Sequence, residues 1–182
     1  MVVLGRLYSP INQHLRLLTS RLIRHSVLRF LTRKRFQILL PHLTYLPAKM
    51  STLNYFNYEG VGKTNNKLYS YSQAVRVGNI IKCSGQGGWD AEGNIDKDDL
   101  KGQIDLAFKN VEKNLKDAGA KGWEDVYSVK SFHISLSGSF DLMVEEFRKW
   151  MPGHQPTWTC VGVTELGIPG MIVEIEVEAY IS

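Results

Sequence analysis

The chain has 182 residues, enough for one domain with its own core and too few for two of ordinary size. Its 22 Lys and Arg against 18 Asp and Glu are unevenly spread: positions 1–50 carry nine basic residues and no acid, and the rest carries 13 basic and 18 acidic residues. The pI near 9.0 therefore belongs to the first segment, and the acidic remainder is not a basic nucleic-acid-binding body. Only Cys83 and Cys160 occur, both in apolar runs and without zinc-type Cys/His spacing, which fits a reducing compartment and excludes a disulfide framework. Arginines break every apolar run of the first segment before it reaches the ~18 residues of a membrane-spanning helix.

Residues 1–49 form a basic, acid-free extension in which Leu, Ile, Val and Phe alternate with Arg, as in Leu15-Arg16-Leu17-Leu18 and Leu28-Arg29-Phe30-Leu31. This composition is that of a mitochondrial transit peptide. A basic helix lying on an anionic membrane is a second reading. A third is that translation starts at Met50, with residues 1–49 upstream of the true start. The expected division is thus 1–49 as extension and 50–182 as folded domain, mitochondrial if the extension is translated and cytoplasmic otherwise.

Taken in chain order, the body opens with a polar lead-in, Asn54 to Asn66, that reads as loop. Tyr71–Val77 and Ile80–Ser84 read as strands joined by the hairpin signal Gly78-Asn79. A glycine-rich exit, Gly85 to Gly88, leads into a polar loop ending near Asp99. From Leu100, apolar residues at Ile104, Ala107, Phe108, Val111, Leu115 and Ala118 keep helical spacing, and Gly119 is placed to stop the helix. Val126–Leu136 suits a strand. A second helix is expected from an N-cap at Ser139, with a stripe of Phe140, Met143, Val144, Phe147, Trp150 and Met151, ending at Pro152-Gly153.

Strands are expected at Thr157–Glu165 and Met171–Ile181. The last alternates strictly: Met171, Val173, Ile175, Val177, Ala179 and Ile181 on one face, Glu174, Glu176 and Glu178 on the other. Such carboxylates raise one another's pKa if their face lines a cleft, and otherwise form a solvated polar face. The order β-β-α-β-α-β-β excludes a doubly wound sheet and implies an α+β fold, with two helices on one face of a mixed sheet.

Four short stretches, Tyr71-Ser72-Gln73-Ala74-Val75, Val77-Gly78-Asn79, Ser84-Gly85-Gln86 and Val173-Glu174-Ile175-Glu176, occur in order across more than a hundred residues. Together they resemble the Rid (YjgF-type, "L-PSP endoribonuclease-like") family, in a fungal-type branch lacking its deaminase arginine. The resemblance implies a chorismate-mutase-like fold and a homotrimer with three clefts between subunits. It also implies hydrolytic deamination of a small-molecule imine or enamine with no metal or organic cofactor. Glu174 matches the family's acidic residue, expected to orient the attacking water and shuttle its proton. Tyr71, Ser84, Gly85 and Cys160 match substrate-contacting positions, Cys160 as cleft wall rather than nucleophile.

At Trp158 the family's deaminase branch has an arginine that holds the substrate carboxylate. Indole offers one N–H and no charge, and the lost charge-assisted hydrogen bonds are worth roughly 1.5–3 kcal/mol each. The substrate is therefore expected not to be 2-aminoacrylate but a flatter, larger compound of the 2-aminomuconate type. Of the body's two arginines, Arg76 and Arg148, neither is expected to substitute. The alternative is a non-catalytic ligand-binding or protein-protecting trimer with the same cleft. Endoribonuclease activity is disfavoured by the acidic body, which repels phosphate, and neither His133 nor His154 has an evident partner in sequence.

Overall fold

Period-two alternation near the C-terminus builds the strand on which the other elements are laid: Val173, Ile175, Val177 and Ala179 are buried, while Glu174, Glu176 and Glu178 face the other way, partly exposed. The computed structural model describes residues 51–182, so the readings of residues 1–49 fall outside it. In chain order the elements are β1 (Asn54–Phe56), α1 (Val61–Tyr69), β2 (Ala74–Val77), β3 (Ile80–Cys83), β4 (Gln86–Gly87), α2 (Leu100–Asp117), a 3-10 turn (Trp123–Asp125), β5 (Val126–His133), α3 (Leu136–Trp150), β6 (Thr157–Gly162) and β7 (Val173–Tyr180).

The strands form one mixed sheet in the order β1-β2-β3-β7-β5-β6. β4 also pairs with β7, beyond the end of β3. Only the β5–β6 pairing is parallel. This is the α+β mixed sheet expected. The hairpin turn between β2 and β3 has Gly78 at φ 61, a left-handed conformation that glycine adopts without penalty.

The long helices cover one face of the sheet. Ile104, Ala107, Phe108, Val111 and Leu115 of α2 are fully buried and join Ile81, Cys83, Val129, Ile175 and Val177 in one core. Asp99 caps α2, its carboxylate accepting from the Gly102 N–H at 2.8 Å. Gly119, at φ 96, stops it as expected, with the Ala120 N–H donating to the Leu115 carbonyl at 3.0 Å. Aromatic packing ties the layer together: Phe108 stacks on Trp123 at 4.6 Å between centroids, and Phe147 meets both Phe108 (5.6 Å) and Trp158 (4.8 Å) edge-on.

Two expectations are corrected. The lead-in is not loop throughout: it contains β1 and a third helix, α1. The α1 sequence, Val-Gly-Lys-Thr-Asn-Asn-Lys-Leu-Tyr, is poor in strong helix formers and its Gly60 N-cap makes no side-chain bond. Tertiary contacts hold it instead. Gly62 sits on the Tyr58 ring, and the Asn66 amide donates to the Tyr71 carbonyl at 2.7 Å.

The second correction concerns α3, which starts at Leu136 behind an N-cap at Ser135, not at Ser139, so β5 ends at His133. Gly138 weakens the helical signal of this first turn. Ser139 lies inside the turn, buried against His133.

Close approach of α2 to the glycine-rich exit sets the depth at which β4 lies. A Cβ at Gly88 would run into the backbone of Gln103, whose side chain bonds the Asp96 and Gly170 carbonyls and the Ile172 N–H. Gly88→Ala is therefore expected to lower stability by about 1–3 kcal/mol, measured by urea unfolding of the full chain.

Candidate functional site

A cleft of about 330 Å³ opens where β4, β7 and the segment after α1 meet, and Tyr71, Gly85 and Glu174 all line it. Each is positioned by a different local cause. Glu174 is on the outward face of β7, paired with Gly87 of β4 on one side and Phe132 of β5 on the other. Tyr71 lies in the connection between α1 and β2, which starts at Ala74 rather than at Tyr71 as expected, just past the α1 terminus, where Ser70 adopts a left-handed φ of 58 and the Asn66 amide grips the Tyr71 carbonyl. Gly85 lies directly beneath the Glu174 carboxyl, which occupies the space a Cβ at that position would need. The glycine is required by the glutamate.

Beneath this floor runs a buried amide network. Gln86 donates from Nε2 to the Ser84 and Gly85 carbonyls at 3.0 and 3.1 Å and to Gln73 Oε1 at 2.9 Å. It accepts from the Tyr58 hydroxyl at 2.9 Å. The Tyr58 oxygen in turn accepts from Trp89 Nε1 at 3.3 Å, and burial pushes the Tyr58 phenol up to about 12. This buried network holds the backbone at Ser84-Gly85 in one place, although it leaves Gln73 Nε2 buried without a partner among the described residues. The Ser84 hydroxyl donates to the Ser72 carbonyl at 2.8 Å; Ser84 adjoins the cleft without lining it.

The three glutamates of β7 have different fates, decided by lysines on the neighbouring strands. Lys82 of β3 reaches Glu176 at 3.4 Å and Glu178 at 3.5 Å, and Lys130 of β5 reaches Glu176 at 3.6 Å. The Tyr127 hydroxyl donates to Glu178 at 2.6 Å, which lowers that carboxyl's pKa. Glu174 has no cation partner among the described residues. Burial holds its carboxyl above the usual carboxylate range, and the charge on Glu176 raises it further. A carboxyl that holds its proton more tightly than usual, over a glycine and beside apolar walls, can take a proton from water and return it.

Trp158 and Cys160 lie elsewhere in the chain. The registers put Trp158 beside Val129 and Cys160 beside Ser131, on the helix-covered face, whereas Glu174 aligns with Phe132 on the open face. Trp158 packs against Phe140 and Phe147 of α3, and its Nε1 donates to Ser131 Oγ at 2.9 Å. Within one chain, then, the fold gathers Tyr71, Gly85 and Glu174, with Ser84 adjoining, and holds Trp158 and Cys160 on the opposite side of the sheet. Cys83 is fully buried, and burial pushes its thiol up to about 12, so it is a packing group.

Several participants escaped the sequence reading. Tyr69, Trp89, Ile168, Pro169 and Met171 complete the cleft walls; they come from a helix with a weak signal and from loops, where periodicity carries no information. His133 does have partners. The Ser139 hydroxyl donates to the Ser135 carbonyl at 2.8 Å, so its oxygen accepts from His133 Nδ1–H at 2.8 Å. His133 Nε2 then accepts from the Ser131 hydroxyl at 2.7 Å, whose oxygen accepts from Trp158. The ring is neutral and structural, and burial lowers its pKa.

Residues 64–181 match the family described as Endoribonuclease L-PSP. The chain belongs to that family. The matched span contains Tyr71, Ser84, Gly85, Trp158, Cys160 and Glu174. The chain is 36% identical over 114 residues, 62% of its own length and 84% of the relative's, to the RutC family protein YjgH of Escherichia coli. It is 32% identical over 97 residues, 53% of its length and 74% of the relative's, to a 2-iminobutanoate/2-iminopropanoate deaminase of Dermatophagoides farinae. A third relative, at 29% identity over 108 residues, 59% of this chain and 83% of the relative's, is the protein mmf2, mitochondrial, of Schizosaccharomyces pombe. Among solved structures, protein YJGH superposes with a TM-score of 0.63 at 30% identity, covering 72% of this chain and 98% of its own.

The elevated Glu174 pKa has a consequence for stability. A carboxyl whose folded pKa exceeds its unfolded value favours the fold while protonated, and that contribution is lost as pH rises through the folded pKa. Glu174→Gln is therefore expected to leave the thermal midpoint at pH 7 unchanged or higher, with the difference from wild type shrinking toward pH 4; a lowered midpoint at pH 7 would contradict this placement.

Proposed function

We propose that the protein hydrolyses a reactive imine or enamine metabolite to the corresponding carbonyl compound and ammonia. Glu174 is the general base, and the cleft is completed by assembly into a trimer. The observation that carries this reading is the Glu174 carboxyl itself: it is unpaired among the described residues, raised in pKa by burial, and seated over Gly85 between Tyr71 and apolar walls. The deaminase named among the family relatives supports the reaction class.

In this scheme the imine nitrogen is protonated and water adds to the C=N carbon. Glu174 takes a proton from the water as the C–O bond forms, then returns it to the nitrogen of the tetrahedral adduct. As the C–N bond breaks, the carboxylate of Glu174 accepts the hydroxyl proton, ammonia leaves, and the carbonyl compound remains; the proton then passes to ammonia or water. Tyr71 contributes its ring to the wall and its hydroxyl to substrate positioning. Tyr69, Tyr71 and Trp89 favour a conjugated substrate over a three-carbon acid. Trp158 has no N–H to offer a ligand, since its donor is committed to Ser131.

Self-association is supported by the open sheet face, where Val77, Ile80 and Tyr180 stay 50%, 39% and 55% exposed on adjacent strands. Sedimentation of the full chain should give a trimer; a stable monomer would remove the intersubunit part of the scheme. Location in the mitochondrion, as for the named relative in Schizosaccharomyces pombe, fits the basic first segment. Ribonuclease activity is disfavoured, because Lys82 and Lys130 on the open face are paired with glutamates rather than free for phosphate.

Ammonia release from freshly generated 2-aminoacrylate and 2-aminomuconate tests the reaction. Wild type should prefer the larger substrate, and Glu174→Gln should lose about 10²-fold or more in kcat. Activity surviving in Glu174→Gln would dismiss the base assignment, and no release from either compound by a trimeric wild type would favour a ligand-binding role.

A further inference from the structure

Two parts of the Glu174 cleft wall belong to no regular element: Ile168, Pro169 and Met171, between β6 and β7, and Trp89, just past β4. Strand pairing fixes neither. α2 does so from behind the cleft, through two amide side chains. Gln103, almost wholly buried, donates from Nε2 to the Asp96 and Gly170 carbonyls at 2.8 and 2.9 Å and accepts from the Ile172 N–H at 2.9 Å. Asn110, half-buried, donates from Nδ2 to the Gly87 and Trp89 carbonyls at 2.8 and 2.9 Å.

The two amides are seven residues apart, two turns along one stripe of the helix, and neither lines the cleft. Both loop parts are thereby referred to a single rigid element, which Ile104, Phe108 and Val111 anchor in the core. They meet over Gly87, where the Met171 methyl and the Trp89 ring fill the space a Cβ would need. Release of either amide lets one part of the wall shift against the other.

We propose that Gln103 and Asn110 are positioning residues that fix the shape of the Glu174 cleft and so decide the size of substrate it accepts. The proposal rests on the reading of that cleft as the reaction site, and it concerns the share of the wall that each subunit of the trimer contributes itself. A three-carbon imine fills little of the cleft's roughly 330 Å³ and needs Glu174 and Tyr71, whereas a larger conjugated one needs the loop walls as well. A wall held in place before binding spares that larger substrate the cost of ordering it. Only a carboxamide serves at position 103. Gln103→Met keeps the volume but strands two carbonyls and an N–H, and Gln103→Glu sets a carboxylate oxygen against those two carbonyls.

The test compares the full-length wild type with Gln103→Met, Gln103→Glu and Asn110→Leu, by ammonia release from 2-aminomuconate and 2-aminoacrylate and by amide hydrogen exchange. Gln103→Met should raise KM for the larger substrate about tenfold, with its kcat and both constants for the smaller one within about twofold. Exchange at Ile172 should quicken while Val177 in β7 stays protected, and Gln103→Glu should exceed Gln103→Met in both effects. Asn110→Leu, outside the apolar core, should shift the substrate ratio in the same direction with exchange at Ile172 unchanged, which keeps the test decisive should the Gln103 variants fail to fold. An unchanged ratio in Asn110→Leu, unchanged exchange at Ile172 in Gln103→Met, or an equal loss of kcat on both substrates would overturn the proposal while leaving the deaminase reading intact. No release from either compound by wild type would overturn both.

Discussion

The alternation of β7 is the constraint from which the rest follows. Its position between β5 on one side and β3 with β4 on the other means that a one-residue slip would bring three glutamates into the core and expel Val173, Ile175 and Val177. That penalty pins the register of the whole sheet. It also forces Glu174, Glu176 and Glu178 onto a shared face, where their surroundings rather than their identity decide what each can do.

Those surroundings divide the face by strand length. β3 pairs with β7 only as far as Glu178, but its Lys82 reaches both Glu178 and Glu176, and Lys130 of β5 reaches Glu176, so two of the glutamates have cation partners. β3 stops at Cys83, and its place beside Glu174 is taken by β4, whose Gly87 brings no cation. The cleft is thus a consequence of where one strand ends. Gly85 leaves room for the carboxyl, and the Gln86 amide keeps that segment of backbone from relaxing into the gap.

Opposite this face, the aromatic layer of Phe108, Trp123, Phe147 and Trp158 joins α2, α3 and β6. Here the replacement of the expected arginine by Trp158 reads as a packing substitution as much as a loss of charge. The indole N–H is absorbed into a chain through Ser131, His133 and Ser139 that ends on the Ser135 carbonyl at the start of α3. Every donor in that chain finds an acceptor, the Ser139 hydroxyl reaching both the Ser135 and the Leu136 carbonyls, which is why a histidine can be buried there neutral.

Periodicity in the sequence determined the elements whose signal is local: the α2 stripe from Ile104 to Leu115, the Gly78 hairpin, the Gly119 stop and the two-faced β7, and with them the α+β class, while the candidacy of Glu174, Tyr71 and Gly85 came from the short stretches that resemble the family. Tertiary structure alone decided the rest. α1 exists because Tyr58 and Tyr71 hold a sequence with little helix propensity of its own, and Ser139 is buried because His133 needs an acceptor rather than because a helix needs a cap. Which of three identical carboxylates is left unpaired, and which loops Gln103 and Asn110 hold, depend on contacts between residues far apart in the chain. Spacing along one strand or helix carries no record of such contacts, because they are set by which elements the core brings side by side.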